Sequence, residues 1–282
     1  MTNNNYSYDI IEINKDLEPN LLEKLKNLPI NTLYNEERIV YNQENKIYIK
    51  FINKYEYSSI LNNEIYIASE ILSNKLKHLH IIDIHAIINV YENKRKRTDV
   101  NEIYGIITPE YDTLDNYLKK NIDIDRNILL WNLIGILELM IYIRDTYNFV
   151  HSDIKIQNIL IKNDIFYVID WEDVRKMNEN YYTRDRPKDG NTEMYPFYNV
   201  TAEEFFIYSI GVLIIRILGY NHGVSYKDFV NNIPIDDILD KIPEEKIEIF
   251  EEIIINILIR KYNKIEKLKE DMNMLYINTY NG

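Results

Sequence analysis

The stretch that most limits how this chain can fold runs from Asn127 to Trp171. It begins with a long apolar segment, "NILLWNLIGILELMIYIRDTYNF". "HSDIKIQN" (His151–Asn158) follows almost at once and crowds a His, an Asp, a Lys and an Asn into one short turn. Two short apolar runs then come, "NILIKND" and "IFYVIDW", the second ending on Asp170. The first segment is apolar at most helical positions, which predicts a long buried helix. The two later runs read as a β-hairpin. The order is therefore a core helix, a polar turn at its exit, and a hairpin whose second strand delivers a carboxylate.

The rest of the chain sorts around that centre. Up to about Ile107 the pattern is of strands around one helix. "NTLYNEERIVYNQENKIYIKF" alternates apolar and polar residues and turns at "NQEN", as a short antiparallel meander does. "SSILNNEIYIASEILSNKLKHL" spaces Ile60, Ile65, Ala68, Leu72 and Leu76 at helical intervals, with Glu64 on the flank and Ser58 or Ser59 as cap. Strand-like runs return at "IIDIHAIINVYE" and "EIYGIIT". From Thr113 the pattern turns helical with "TLDNYLKK". Beyond the hairpin lies a polar segment of about thirty residues, followed by helices that include "AEEFFIYSIGVLIIRIL" and "EEKIEIFEEIIINILIRKY". No Pro/Gly/Ser-rich linker and no internal repeat interrupts the chain. Its 282 residues are enough for one large domain or two joined lobes, each with its own core. The expected architecture is α+β, as a single domain over residues 1–282. It has a small β-rich lobe (about 1–108), a join at 109–113 and a larger helical lobe over 114–282.

Composition narrows the function classes. A formal net charge of −12 argues against a nucleic-acid or anionic-membrane partner, since affinity for phosphate backbones depends on accumulated Lys and Arg. The one basic run, "NKRKRTD" around Lys94–Arg97, reads as a solvated hairpin tip. The absence of Cys removes disulfides and thiolate metal sites, and His80 and His85 then read as ordinary surface or core histidines. The opening "MTNNNYSYDI" lacks the form of a secretory signal, and the uncharged run Phe205–Ile215 is too short to span a bilayer. A soluble, cytoplasmic protein is expected. The abundance of Asn, Ile, Lys and Tyr (25 Tyr) indicates an AT-rich gene rather than a chemistry.

The polar turn has a chemistry of its own. Asp153, at the exit of the long helix, can orient a hydroxyl and accept its proton during phosphoryl transfer. Lys155, two residues on, reaches the same side and offsets phosphate charge. Asn158 is a neutral oxygen ligand suited to Mg²⁺, which prefers hard oxygens. Asp170, at the end of the hairpin, adds a second metal-ligating group. Two acids and an amide on such a frame fit a Mg²⁺–triphosphate site.

"HSDIKIQN" followed by "IDWE" resembles the catalytic loop and metal-binding motif of the eukaryotic-like protein kinase superfamily. The resemblance implies Asp153 as catalytic base and Lys155 as a γ-phosphate contact. It implies Asn158 and Asp170 as Mg²⁺ ligands, His151 as a structural support, and ATP and Mg²⁺ as cofactors. Other segments agree in order. "IYIKF" is similar to the strand that supplies the phosphate-anchoring lysine, here Lys50, with Glu64 as its ion-pair partner and Glu70 as the alternative. "IITPEYDTLDNYL" resembles the hinge that receives the adenine on its backbone, with Glu110 and Tyr111 nearest. "YSIGVLIIRIL" resembles the central helix of the large lobe. The likeness covers about Leu33 to Leu218, and a two-lobed fold acting on Ser or Thr hydroxyls of a protein substrate is what it implies.

The departures are specific. No glycine precedes Gly105, so the glycine-rich phosphate-covering loop is missing near "NTLYNEER". Ser152 stands in place of the Arg that usually precedes the catalytic Asp. Trp171-Glu172 replaces Phe-Gly, and "MYPFY" (Met194–Tyr198) occupies the Ala-Pro-Glu region. Phe206 stands where an anchoring Asp is expected, with Glu203 or Glu204 as possible substitutes. Thr183, Thr192, Tyr181 and Tyr182 are candidate phosphosites that nothing singles out. "VIDWEDV" also looks like the metal motif of small-molecule kinases of the aminoglycoside and choline type. A pseudokinase, which keeps the fold without turnover, is the third alternative. Lys155 favours the Ser/Thr protein kinase.

Overall fold

A computed structural model of the chain describes residues 6–30, 39–53, 61–73, 75–92, 103–120, 123–177, 180–181, 200–230 and 233–281. Residues 31–38, Ser58–Ile60, the basic run at Lys94–Arg97, and the segment with Tyr182, Thr183, Thr192 and Met194–Tyr198 lie outside the described residues. The chain divides into two units. One comprises Met1–Tyr111 together with Asp170–Glu172, and the other Asp112–Ile169 together with Asp173–Gly282.

The first unit is built by strand alternation. Strands β1 (Tyr6–Ile13), β2 (Ile39–Asn42), β3 (Ile47–Asn53), β4 (Ala86–Glu92) and β5 (Ile103–Pro109) form one antiparallel sheet in the order β1-β4-β5-β3-β2. Along β3, Ile47, Ile49 and Phe51 are buried in a core shared with Leu25, Leu28, Ile88 and Ile107. Successive side chains alternate faces, so Lys50 between them points to the opposite side. Gly105 of β5 leaves room for side chains of both neighbouring strands. A Cβ there would come within 2.7 Å of Ile88 and 3.3 Å of Ile49.

Among the described residues two helices accompany the sheet, where the sequence pattern anticipates one. The additional helix, α1 (Pro19–Lys26), starts with Pro at its first position and lays Leu25 into the core. The Tyr8 hydroxyl donates to Leu25 O and accepts the Leu28 N–H, which fastens α1 to β1. The anticipated helix, α2 (Leu61–Leu72), is shorter than its apolar spacing predicts. It closes on Glu70 O, which accepts the N–H groups of Lys75 and Leu76. Leu76 is therefore a buried residue of the following loop, not of the helix. Glu64 is not on the flank either. It shares the buried face with Ile67, Ala68 and Leu72, while Ile65 is half-buried. Ser69 donates to the Glu12 carboxylate at 2.7 Å and so ties α2 to β1.

The second unit begins with β6 (Asp112–Thr113) and α3 (Leu114–Lys119), whose cap is the Thr113 hydroxyl accepting the Asn116 N–H. Helix α4 (Arg126–Tyr147) starts at the Asp125 cap and stops at Asn148, which adopts the left-handed conformation at φ 57°. Phe149, which the apolar pattern adds to the helix, instead opens strand β7 (Phe149–His151). By length and composition α4 could cross a membrane, yet 61% of its most apolar window is buried within the fold. It is a core helix. Strands β8 (Ile159–Lys162) and β9 (Ile165–Val168) form the anticipated hairpin. Its turn residues, Asn163 and Asp164, both take positive φ, as a type I′ turn demands. The fully buried Asn132 of α4 locks this hairpin in place. Its amide donates to Asp164 O and Ile128 O at 2.8 Å, and its oxygen accepts the Phe166 N–H at 2.7 Å.

Short strands β10 (Val174–Lys176), β11 (Asn180–Tyr181) and β12 (Val200–Thr201) follow, β10 pairing with β7 and β11 with β12. Helix α5 (Ala202–Leu218) is buried almost throughout and opens with a capping box between Thr201 and Glu204. The helices that complete the unit are α6 (Tyr226–Val230), α7 (Ile235–Leu239), α8 (Glu244–Ile247), α9 (Glu251–Leu258) and α10 (Ile265–Asn281). Buried Glu203 of α5 joins that helix to α4 and α10. It pairs with Arg144 of α4 at 3.1 Å, accepts the Ile265 N–H at the start of α10, and pairs with Lys264. The whole is a two-lobed α+β fold, with a five-stranded sheet in one lobe and a mainly helical second lobe.

Candidate active site

The candidate residues fall into two groups, one in each unit. In the first, Lys50 leaves β3 on the face opposite the main core and meets Glu64 of α2. Its ammonium donates to both Glu64 oxygens at 2.9 and 2.7 Å. It also pairs with Asp170 at 2.6 Å and with Glu172 at 2.9 Å. Glu70, the alternative partner, pairs instead with Lys75. An ammonium has three N–H donors, and three carboxylates take them. With all three carboxylates ionised, the cluster carries two negative charges in excess. Burial alone would lower the Lys50 pKa, but the charges of Glu64, Asp170 and Glu172 outweigh it and hold the ammonium above its usual range. Burial raises the Glu64 carboxyl, Lys50 opposes the rise, and the two neighbouring acids add to it, leaving the pKa at about 7. Asp170 presents its carboxylate from a left-handed backbone, φ 67°, which Asp tolerates better than most residues.

Glu110 and Tyr111 close this unit. The Glu110 N–H donates to Lys46 O at 3.0 Å, and its carboxylate accepts from the Tyr41 hydroxyl at 2.6 Å. That bond pushes the Tyr41 phenol up to about 12. The Tyr111 hydroxyl donates to Asp83 at 3.2 Å. Both side chains are thus engaged within the unit, which leaves backbone as what this segment can offer a ligand.

The second group lies on the turn after α4. His151 is fully buried, and its Nδ1 accepts the Asp153 N–H at 3.1 Å. Its Nε2 must then carry the proton, and it donates to Ile169 O at 3.1 Å. The imidazole links the turn to the end of the hairpin. The Ser152 N–H and hydroxyl both donate to Asp173 O, at 2.9 and 2.6 Å. Asp153 is held by Lys155 at 2.6 Å and by the Asn158 amide at 3.0 Å, and that amide also donates to Asp153 O at 2.9 Å. Asn158 O in turn accepts the Ile169 N–H. With its nitrogen turned to Asp153, the Asn158 amide has its oxygen on the other side. A carboxylate aimed by its backbone and an amide oxygen fixed by hydrogen bonds are hard oxygen donors. They fit Mg²⁺ by chemistry.

Three participants have no counterpart in the sequence argument. Glu172 is visible there only as a replacement for Gly, and charge two residues beyond Asp170 was the available signal. Asn132 and Tyr226 leave no signal, because their partners are backbone groups remote in sequence. Phe206 is fully buried, as an apolar residue of α5 should be. Of its two suggested substitutes, Glu203 is committed to Arg144 and Lys264, and Glu204 to the α5 cap and Arg260.

A family model described as protein tyrosine and serine/threonine kinase matches residues 32–245, well over half of the chain. No curated protein matches the sequence.

Proposed function

The chain belongs to the protein tyrosine and serine/threonine kinase family, and from that premise we propose that it transfers the γ-phosphate of Mg-ATP to a Ser or Thr hydroxyl of a protein. Phosphotransfer follows from the family; the choice of acceptor is our inference. The observation that carries it is the Asp153 carboxylate held by Lys155 at 2.6 Å and by Asn158 at 3.0 Å. A carboxylate fixed in this way can orient an acceptor hydroxyl and take its proton as the O–P bond forms. Lys155, already beside it, offsets charge on the transferred phosphoryl group. Its presence in the turn is the protein-kinase form of the motif and favours Ser or Thr. Lys50, kept charged by its acids, anchors the nucleotide phosphates, and Glu64 fixes Lys50. Asn158 and Asp170 are the residues that would offer oxygens to Mg²⁺, which would offset triphosphate charge. The backbone at Glu110 and Tyr111 receives the adenine.

The test is transfer from radiolabelled ATP to generic proteins and to small aminoalcohols side by side, followed by identification of the labelled amino acid. Label on protein Ser or Thr is expected. Label confined to the aminoalcohols would make the chain a small-molecule kinase. Nucleotide binding without any transfer would make it a pseudokinase.

A further inference from the structure

The turn bearing Asp153, Lys155 and Asn158 leaves the Ile156 amide without a partner in its own helix. Ile156 opens the single 3-10 turn Ile156–Asn158, and the first N–H of such a turn has no partner inside it. Its side chain is fully buried, and buried N–H groups in folded proteins are almost always paired. This one donates to the Tyr226 hydroxyl oxygen at 3.1 Å.

Tyr226 is itself firmly held. It is the first residue of α6, whose opening turn is fixed by Asp228 accepting the Ser225 N–H and pairing with Lys241 at 2.6 Å. Arg216, at the end of α5 and only 7% exposed, lies with its guanidinium 4.8 Å from the Tyr226 ring and 5.3 Å from the Tyr220 ring. The Tyr220 hydroxyl donates to Asp115 of α3 at 3.0 Å. Burial raises the Tyr226 phenol to about 12, and the Ile156 N–H and the Arg216 charge hold it back. The nearby Asp153 adds to the rise. Tyr226 therefore remains a neutral hydroxyl near neutral pH, with Asp153 within range of it. Phe206, in the middle of α5, has no polar side-chain atom to offer the same turn.

We propose that Tyr226, clamped by Arg216, is the positioning residue of the phosphotransfer turn: its hydroxyl fixes the Ile156 amide and with it the spacing of Asp153, Lys155 and Asn158. This rests on the phosphotransferase function proposed above. Tyr226→Phe is the sharp variant, because it keeps the ring under Arg216 and deletes only the acceptor.

In the full chain, three quantities are compared between wild type and Tyr226→Phe: steady-state transfer, the thermal shift induced by ATP, and hydrogen exchange at the Ile156 amide. The expected result is a fall in kcat of about tenfold, the scale of one lost hydrogen bond. KM for ATP and the thermal shift stay unchanged, and the Ile156 amide exchanges faster. Arg216→Met, which frees the ring, should show the same split. An unchanged kcat overturns the proposal. So does a loss of kcat matched by equal losses of nucleotide binding and melting temperature, since that is what general loosening gives. If the wild type transfers no phosphate, the proposed activity fails separately. The exchange arm still decides the contact, and unchanged Ile156 protection in Tyr226→Phe refutes it.

Discussion

Replacing Glu172 by Gln removes one negative charge from a cluster that holds more of them than its cation can match. Lys50 attracts Glu172 at 2.9 Å, which at an effective dielectric near 20 amounts to about 6 kcal/mol. Glu64 and Asp170 repel it, and the facing oxygens of the three acids all lie within 4.8 Å of one another. Two repulsions at that separation come to roughly 7 kcal/mol on the same scale. The two sums cancel within their precision. Glu172→Gln should therefore melt within about 1 kcal/mol of the wild type, whereas deleting one side of a buried pair ordinarily costs about 3–5 kcal/mol. Nucleotide binding should respond differently. A phosphate reaching Lys50 comes to about 5 Å from the Glu172 charge, a repulsion of about 3 kcal/mol before solvent screening. If screening halves it, removing the charge tightens ATP binding about tenfold. The assay is a titration with ATP in EDTA and again in Mg²⁺, alongside a melting curve. The gain should be largest in EDTA, because a bound cation neutralises the same excess. Unchanged affinity in EDTA, or a melting temperature many degrees lower, would refute this account of the cluster.

Three further outcomes are expected. Asn132→Ala strips buried partners from Phe166 N and Asp164 O and should cost about 2–4 kcal/mol in denaturant unfolding; a cost under about 0.5 kcal/mol would show that the hairpin does not depend on it. Hydrogen bonds from Arg144 hold the Glu266 carboxyl down at about 2, below its ordinary 4.5, so the pair's stabilisation is complete above the ordinary value and is lost as pH falls toward 2. Glu266→Gln should flatten that acid limb, with a loss of less than about 1 kcal/mol at neutral pH because the side chain is nearly half exposed, and an unaltered acid limb would contradict the assignment. Ser152 stands where a phosphate-reading Arg would be and is bonded to Asp173 O, so phosphatase treatment should leave the transfer rate unchanged, and a large drop restored by rephosphorylation would argue otherwise.

Much of the fold is legible in the sequence because its elements are long or strictly periodic. The core helix α4, the alternation in β3 and the hairpin with its Asn163-Asp164 turn are of this kind. Helix α1 is not, since eight residues with one fully buried position give too little periodicity to stand out. The end of α2 misleads for a different reason. Leu76 keeps the helical spacing and is buried, but it reaches the core from a loop after Glu70 O has closed the helix. For the site, pattern suffices where chemistry is carried by adjacent residues, as from Asp153 to Asn158. Long-range partners are invisible to periodicity. Glu64 looks like a flank residue by spacing alone and is identified as the Lys50 partner only through the family resemblance, and Asn132 and Tyr226 act through backbone groups at a distance of tens of residues.

The central claim is that Asp153 accepts the proton of the acceptor hydroxyl during phosphotransfer. Asp153→Asn keeps the size of the side chain and its contacts with the turn while removing the base. The decisive measurement is the rate of label transfer from ATP by this variant, with nucleotide binding followed by thermal shift in the same samples. A nucleotide a hundredfold above its dissociation constant adds about 2.7 kcal/mol to stability, and that shift should be the same in both proteins. Turnover should fall by about 10²–10⁴, the scale of a lost acid–base group. Turnover close to wild type in Asp153→Asn would remove Asp153 from the mechanism and contradict the account.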